Sequence, residues 1–269
     1  MRTCKGIVII FFLTGKVSAF EPVSAVDDGF AVPYEEGMVA ASVLYPGAES
    51  YLNGGFIIAA WSVPYGLEDM AVTTCHTGFN FGKTGLSVSY SGSGFDLYGE
   101  EQEKLGISLS PFKWISTGFR ITRNAIRIKN FGRAAAWSTD TGMIFHLSES
   151  LYIAAALEDL VSAELGSSCE PLDGKTRLAA TWRTGGNVTL LASLTKVRRF
   201  DPSLSAGFTA EIVNILTIGV MEAHNPDRFE FLCSVKPKKI VFSYRGSYHR
   251  ELGMSHGFSI NWCTGDYKQ

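Results

Sequence analysis

The string nearest to a nucleotide-binding motif is GFNFGKT, which runs from Gly78 to Thr84. A phosphate-binding loop wraps phosphate oxygens with backbone amides, and this needs four residues between its glycines and a helix after its lysine. Only three residues separate Gly78 from Gly82, and strand-like alternation lies on both sides of the string. We therefore interpret the string as a hairpin turn.

His249, Glu251 and His256 form a second reactive group, around a predicted turn near the end of the sequence. Imidazole and carboxylate groups bind metals, but a metal site needs a third or fourth ligand held by further hydrogen bonds. No such set is visible, and the chain has neither a His-Glu-x-x-His nor a Cys-x-x-Cys motif. We expect no metal, no cofactor and no catalytic residues.

Charged side chains at alternate positions of apolar runs are the remaining candidates for functional residues. Leu178 and Trp182 alternate with Arg177 and Arg183, which places the two arginines on one face of a strand. If the apolar face meets lipid, the charged face meets a wet interior. The predicted lumen-facing residues are Asp140, Glu158, Arg177, Arg183, Glu211 and Arg245. Because mixed charges pair with one another, we favour a narrow or plugged lumen over an open ion pore.

From about residue 52 onward the sequence is a series of short runs with a period of two, which is the period of a strand and not of a helix. The runs predict about fourteen strands between residues 52 and 262. Tight, turn-rich connections alternate with others, such as 92–99, 125–133 and 160–173, that are longer or more polar. We predict an all-β fold: one transmembrane, antiparallel, up-and-down β-barrel with short periplasmic turns and longer extracellular loops. A soluble exported β protein with a binding role is the alternative.

The first residues predict export to a bacterial outer membrane. Arg2 and Lys5 precede an apolar run, and Val17-Ser18-Ala19 offers small residues for cleavage. The apolar run is shorter than the about 20 residues that a membrane-spanning helix needs. We predict a signal peptide at 1–19, a periplasmic or luminal segment at 20–51, a barrel at 52–262 and a short tail at 263–269. Segment 20–51 could cross the barrel mouth, enter the lumen or form a loose leader.

Composition agrees with a membrane barrel. The net charge of −2 gives no reason to expect nucleic acid as a partner. A mean hydropathy of +0.10 with 28 glycines fits a barrel whose outer face is apolar. Cys75 and Cys233 fall in predicted strands far apart in the chain, and we expect them to be small packed side chains.

The last predicted strand, His256 to Trp262, carries an assembly signal. Phe258, Ile260 and Trp262 share one face and Gly257 lies on the other. This pattern resembles the C-terminal signal that outer-membrane barrels present to the barrel assembly machinery. Lipid and that machinery are the partners that the pattern implies.

Three stretches resemble the PorV/PorQ group of outer-membrane proteins, which are relatives of the FadL-type hydrophobic-compound channels. They are Ser62 to Leu67, similar to the group's first outer loop, Asp140 to Leu160, similar to its central hairpin, and Arg245 to Ile260, similar to its final hairpin. The resemblance implies a fourteen-stranded barrel. It also implies either passage of hydrophobic small molecules or a role in type IX secretion, in which the barrel binds secreted cargo or complex subunits.

The chain departs from the group before its first strand. Members usually carry an asparagine-proline-alanine-glycine motif there, whereas this chain has Leu52-Asn53-Gly54-Gly55. This departure weakens the inference of a FadL-like N-terminal plug. The central hairpin, which usually ends in asparagine, ends here in Glu158-Asp159.

Overall fold

A computed structural model describes residue 25 and residues 30–33, 37–160, 164–165, 170–171 and 173–265. The predicted signal peptide at 1–19 lies outside the described residues, as does the end of the predicted tail. Among the described residues, no helix is both long and apolar enough to cross a membrane.

Fourteen antiparallel strands form a closed barrel, as the alternation predicts. Each strand pairs with its neighbours in the chain, and β1 closes the barrel against β16. The strands are β1 (Gly54–Val63), β2 (Val72–Phe81), β3 (Thr84–Phe95), β4 (Tyr98–Phe112), β5 (Ile115–Ile128), β6 (Gly132–Ser148), β7 (Leu151–Glu158), β10 (Lys175–Arg183), β11 (Val188–Val197), β12 (Ser203–Val213), β13 (Leu216–His224), β14 (Arg228–Val235), β15 (Ile240–His249) and β16 (Gly253–Cys263). Between β7 and β10, β8 (Glu164–Leu165) and β9 (Glu170–Pro171) pair as a separate hairpin.

The two ends of the barrel differ in their connections. The end that we call the turn end carries both termini of the barrel and tight connections such as 82–83, 113–114 and 149–150. The opposite end, the loop end, carries the two longest connections, 64–71 and 159–174. This sorting is the predicted one and is typical of outer-membrane barrels.

Two predicted loops are wrong. The stretches 92–99 and 125–133 are mostly strand, and the turns between β3 and β4 and between β5 and β6 contain only residues 96–97 and 129–131. The outward positions of these strand ends carry small or charged residues, Gly92, Gly94, Ala125 and Arg127, so the apolar face of the alternation is lost there. Cross-strand polar pairs, such as Arg123 with Glu103, hold the extended hairpins instead.

The outward face of the barrel is apolar, whereas a protein in water buries such residues. Its large side chains are exposed along every strand; examples are Leu105 at 61%, Val88 at 54% and Ile260 at 50%. Aromatic residues flank this belt, with Phe112 and Trp114 at the turn end and Tyr90 and Trp137 at the loop end. An apolar belt between two aromatic girdles is the lipid-facing surface of a transmembrane barrel.

Cys75 and Cys233 do not pack in a core, contrary to the sequence-based expectation. Both are exposed and lie on the lipid-facing side of β2 and β14. Small apolar side chains suit a lipid face as well as a core, so alternation alone could not separate the two.

We expect a fluorophore attached at Cys75 or Cys233, in variants that keep one cysteine, to report a lipid environment. The measurement is quenching by bromine atoms carried on the acyl chains of a proteoliposome. A variant that keeps only Cys263, whose side chain is buried, should label poorly in the folded state. Quenching by an aqueous quencher alone would contradict the assignment of this face.

Candidate functional site

The lumen is filled by residues that precede β1. Helix α1 (Met38–Leu44) and the 3-10 helix Ala48–Tyr51 are buried along their whole lengths. We call residues 30–33 and 37–52 the plug, because they occupy the barrel interior. The described part of segment 20–51 is therefore luminal, despite the departure from the family pattern at Leu52 to Gly55.

A buried ion pair joins the plug to the barrel wall. The Arg120 guanidinium, on β5, lies 2.7 Å from the Glu49 carboxylate, and each side chain is 3% exposed. Arg120 also donates hydrogen bonds to the carbonyl oxygens of Ser42 and Val43 at the end of α1. The Ser87 hydroxyl, on β3 of the wall, also donates a hydrogen bond to the Glu49 carboxylate, at 2.9 Å. The wall thus holds the 3-10 helix and the end of α1 through the same arginine.

Neutral hydrogen bonds from the wall hold the plug at three further carbonyl groups. The Ser116 hydroxyl donates to the Gly47 carbonyl at 2.6 Å, and the Asn80 amide donates to the Glu49 carbonyl at 3.0 Å. Upstream, the Thr181 hydroxyl donates to the Pro33 carbonyl at 2.6 Å. Because these wall residues come from β2, β5 and β10, the contacts surround the plug.

Glycines in the wall let the plug backbone approach closely. A Cβ atom added at Gly118 would lie 2.4 Å from the Gly47 nitrogen, and one at Gly142 would lie 2.6 Å from the Pro46 oxygen. Gly47 itself has a φ of +115°, which favours glycine. The seat of the plug therefore tolerates no side chain at these wall positions.

We expect Gly118→Ala to displace the plug, because the nearest atoms to the added methyl are backbone and cannot rotate away. Gly257→Ala is the matched control: it adds the same methyl to a lumen-facing glycine of the wall, where the nearest atoms are 3.8 Å away. Limited proteolysis of the folded barrel should cut the plug faster in the first variant only. Equal cleavage rates in the two variants would contradict the close packing of the plug backbone against Gly118.

A cavity of about 480 Å³ lies between the plug and the wall toward the loop end. This volume is within the range of small-molecule sites. The plug contributes Val32, Leu44 and Tyr45 to it, and strands β11 and β12 contribute hydroxyl groups. The charged lining residues are Lys175, Arg177, Arg228 and Asp201. The cavity is therefore apolar on the plug side and polar on the wall side.

A second, much smaller cavity lies beneath the plug at the turn end. Its volume is about 30 Å³, enough for about two water molecules. Phe30, Gly37 and Ala40 of the plug line it together with Arg245 of the wall. The plug thus lies between a ligand-sized cavity at the loop end and a water-sized cavity at the turn end.

The predicted lumen-facing residues all lie at inward-facing positions of their strands, but they differ in burial. Asp140, Glu158 and Arg177 are buried, and Arg177 pairs with Glu158 at 2.6 Å. Arg245 and Glu211 are half-buried, and Arg183 is exposed at the turn end of β10. Alternation gives the face of a strand residue but not its depth.

Asp140 and Asp159 belong to a polar cluster at the loop end. Asp140 accepts hydrogen bonds from the Thr122 hydroxyl at 2.8 Å and from the Asp159 amide at 3.1 Å, and Lys104 lies 3.6 Å away. Burial raises the pKa of the Asp159 carboxyl to about 6; a hydrogen bond from Ser138 opposes this rise and the nearby Asp140 charge adds to it. At neutral pH the ionised Asp159 carboxylate therefore destabilises the folded barrel.

We expect Asp159→Asn to stabilise the barrel at pH 8 by about 3 kcal/mol, and by less at pH 5. The folded-state pKa lies above the ordinary value, so the wild-type barrel loses stability as the pH rises through about 4 to 6. The measurement is denaturant unfolding in detergent at both pH values. A wild-type stability that rises over this interval, with no gain in the variant, would contradict the pKa.

The predicted assembly-signal residues line up on β16 as expected from their spacing. Phe258, Ile260 and Trp262 are exposed on the lipid-facing side, and Phe258 stacks on Trp61 of β1 at 6.0 Å. Gly257 lies on the opposite, lumen-facing side. The assembly role itself stays a prediction.

The described residues contain no group of three or more histidine, cysteine, aspartate or glutamate side chains that could hold a metal ion. A Gly-x-Ser-x-Gly spacing occurs once, from Gly253 to Gly257. In hydrolases this spacing forms a sharp turn between a strand and a helix. Here it lies within β16, and Ser255 accepts a hydrogen bond from the Tyr65 amide. It is therefore a strand segment without a nucleophile elbow.

Arg120 and Glu49 are the site residues that sequence reasoning missed. Arg120 stands between Phe119 and Ile121, so alternation alone could have assigned it to the lumen. Glu49 belongs to no periodic element, and no comparable signal marks it.

No family model matches the sequence, and no curated protein matches it. Solved structures do match the fold. The toluene transporter TbuX of Ralstonia pickettii has a TM-score of 0.67 at 8% identity, covering 92% of this chain and 100% of that one. The CymD monoaromatic hydrocarbon channel has a TM-score of 0.65 at 9% identity, covering 90% and 97%. A FadL homologue of Pseudomonas aeruginosa has a TM-score of 0.60 at 9% identity, covering 84% and 94%. At these identities the likeness shows the fold alone.

Proposed function

We propose that the chain is an outer-membrane channel for hydrophobic small molecules, similar to the FadL-type channels. The observation that carries the proposal is the plugged lumen with a ligand-sized cavity on its loop-end side. A filled lumen does not suit a diffusion pore for ions, whereas it suits binding followed by a conformational step. The fold neighbours described as a toluene transporter and a monoaromatic hydrocarbon channel support this class of substrate.

In this proposal the turn end faces the periplasm and the loop end faces outward, after export by the signal peptide and insertion by the barrel assembly machinery. A ligand enters the cavity at the loop end, where Tyr65, Phe200 and Pro226 line it. The described residues of the plug lie between this cavity and the smaller one of about 30 Å³ beneath it, so the ligand has no straight path past them. The ligand leaves when the plug moves, or sideways through the wall.

A binding experiment tests this proposal. The purified barrel is titrated in detergent with aromatic hydrocarbons and medium-chain fatty acids of graded length, and tyrosine and tryptophan fluorescence is followed. We expect saturable binding that a hydrophilic sugar of similar volume does not compete away. Binding that never saturates, or that is equal for the sugar, would contradict the proposal.

The PorV/PorQ resemblance supports a second candidate function, a type IX secretion barrel that holds cargo or complex subunits. The observation that favours it is the apolar surface of the loop-end connections. Leu67, Met70 and Leu97 are about half exposed there, and Phe131 is 88% exposed. Affinity purification from the native membrane separates the candidates: a stoichiometric secreted protein supports the second function, and bound small molecules without protein support the first.

A further inference from the structure

The outward wall of β4, β5 and β6 changes character above the lipid belt. Below, it carries apolar residues up to Trp137, which is 62% exposed. Above, the outward positions carry Arg123, Arg127 and Arg133, and Lys129 lies on the turn between β5 and β6. We call these four cations the basic wall. It begins where the membrane surface begins, because Arg123 is directly opposite Trp137 in the strand register.

The basic wall has more cations than the surrounding carboxylates neutralise. Glu103 pairs with Arg123 at 2.9 Å, and Glu101 pairs with Arg133. Among the described residues, neither Arg127 nor Lys129 forms an ion pair. Asp96, on the adjacent hairpin tip, also forms none. Two side chains, Arg127 and Lys129, are thus left charged and exposed above the edge of the lipid belt.

The register also brings two like charges together, and Glu101 offsets only the one on Arg133. Arg127 of β5 is directly opposite Arg133 of β6. Like charges directly opposite one another destabilise a strand pair. Guanidinium groups in this arrangement bind phosphate oxygens in a bidentate manner, and such hydrogen bonds are strong.

The depth of the basic wall selects among phosphate-bearing lipids. Arg133 is four residues beyond Trp137 along β6, which places it about 10 Å further from the membrane centre in a tilted strand. Arg127 lies at the same height as Arg133, because the two are opposite in the register, and Lys129 is two residues further along the chain. The phosphate of a simple phospholipid lies near the aromatic girdle, below these cations, so the ligand must carry phosphate further from the membrane centre. A glycolipid whose sugars carry several phosphates has this chemistry.

From these observations we infer that the basic wall binds a phosphorylated glycolipid of the outer leaflet, with Arg127, Lys129 and Arg133 contacting its phosphates. The inference rests on the proposed outer-membrane location and is independent of transport. The bound glycolipid would then occupy a fixed place beside β4, β5 and β6 of the barrel.

The test uses the full barrel purified in mild detergent and the triple variant Arg127→Gln, Lys129→Gln, Arg133→Gln. The probes are a bisphosphorylated glycolipid, its dephosphorylated form, phosphatidylglycerol and inorganic phosphate, each detected by native mass spectrometry. Removal of each cation should weaken binding of the phosphorylated glycolipid about five-fold. The matched control removes the same charge at the turn end, with Lys236→Gln, Lys238→Gln and Lys239→Gln, and should bind as the wild type does. Heat-modifiable migration on a gel verifies that both variants are folded.

Three results would overturn the inference. One is equal binding by the folded triple variant and the wild type. Another is equal binding of the dephosphorylated glycolipid. The third is equal binding of phosphatidylglycerol or inorganic phosphate, which would reduce the basic wall to a general anion surface.

Discussion

Arg120→Ala is expected to open the lumen. The change removes the buried partner of Glu49 and two hydrogen bonds to the end of α1. Breaking a buried ion pair by deleting one partner costs about 3–5 kcal/mol, since the remaining charge stays buried and unpaired. The population of barrels with a displaced plug should therefore rise on the order of a hundredfold or more. Planar-bilayer recording should detect this as conductance that the wild-type barrel lacks.

Two control variants define the cause of that opening. Arg183→Ala deletes an exposed arginine at the end of another wall strand, β10, and should leave the lumen closed. The double variant Arg120→Met, Glu49→Leu removes both charges and fills similar volume, so it should restore closure. A closed lumen in a correctly folded Arg120→Ala barrel would contradict the role of the ion pair.

Ser193→Trp is expected to abolish ligand uptake. Ser193 lines the loop-end cavity from β11, and an indole at this position projects into the space of about 480 Å³. Because the indole takes space and wall contacts that a bound ligand would use, ligand affinity should fall at least about tenfold, which corresponds to about 1.4 kcal/mol. Titration of the purified variant with the tightest ligand of the wild type measures this loss.

Ala192→Trp is the matched control for that experiment. Ala192 is the neighbouring residue of β11, and its side chain is exposed on the lipid-facing side. The same indole in the lipid belt should leave ligand affinity unchanged. Equal losses in the two variants would mean that the cavity is not the binding site.

The barrel was predictable from the sequence because a lipid face and a wet lumen impose a period of two on every strand. Arg177 could be assigned to the lumen since Leu178 and Trp182 mark the opposite face. The same rule failed at residues 92–95 and 125–128, where the strands rise above the lipid and their outward positions carry small or charged residues instead of apolar ones. It also misjudged Cys75, because a small side chain identifies neither face.

The plug was not predictable in the same way. Residues 37–52 have no long periodic element, and their burial depends on contacts with four distant strands of the wall, β2, β3, β5 and β6. Glu49 becomes a site residue only when Arg120 approaches it across 71 positions of sequence. The close approach at Gly118 and Gly142 is likewise a tertiary property, since nothing local distinguishes these glycines from others in the strands.

The most direct test of the proposed transport is uptake by cells. A Gram-negative strain without its own hydrophobic-compound channels would express the wild-type barrel, Ser193→Trp or Ala192→Trp, and accumulation of a radiolabelled aromatic hydrocarbon would be followed. We predict faster accumulation with the wild-type and Ala192→Trp barrels than with the empty vector, and no increase with Ser193→Trp. Accumulation at the empty-vector rate in cells with folded wild-type barrel, for hydrocarbon and fatty acid alike, would contradict transport of hydrophobic small molecules.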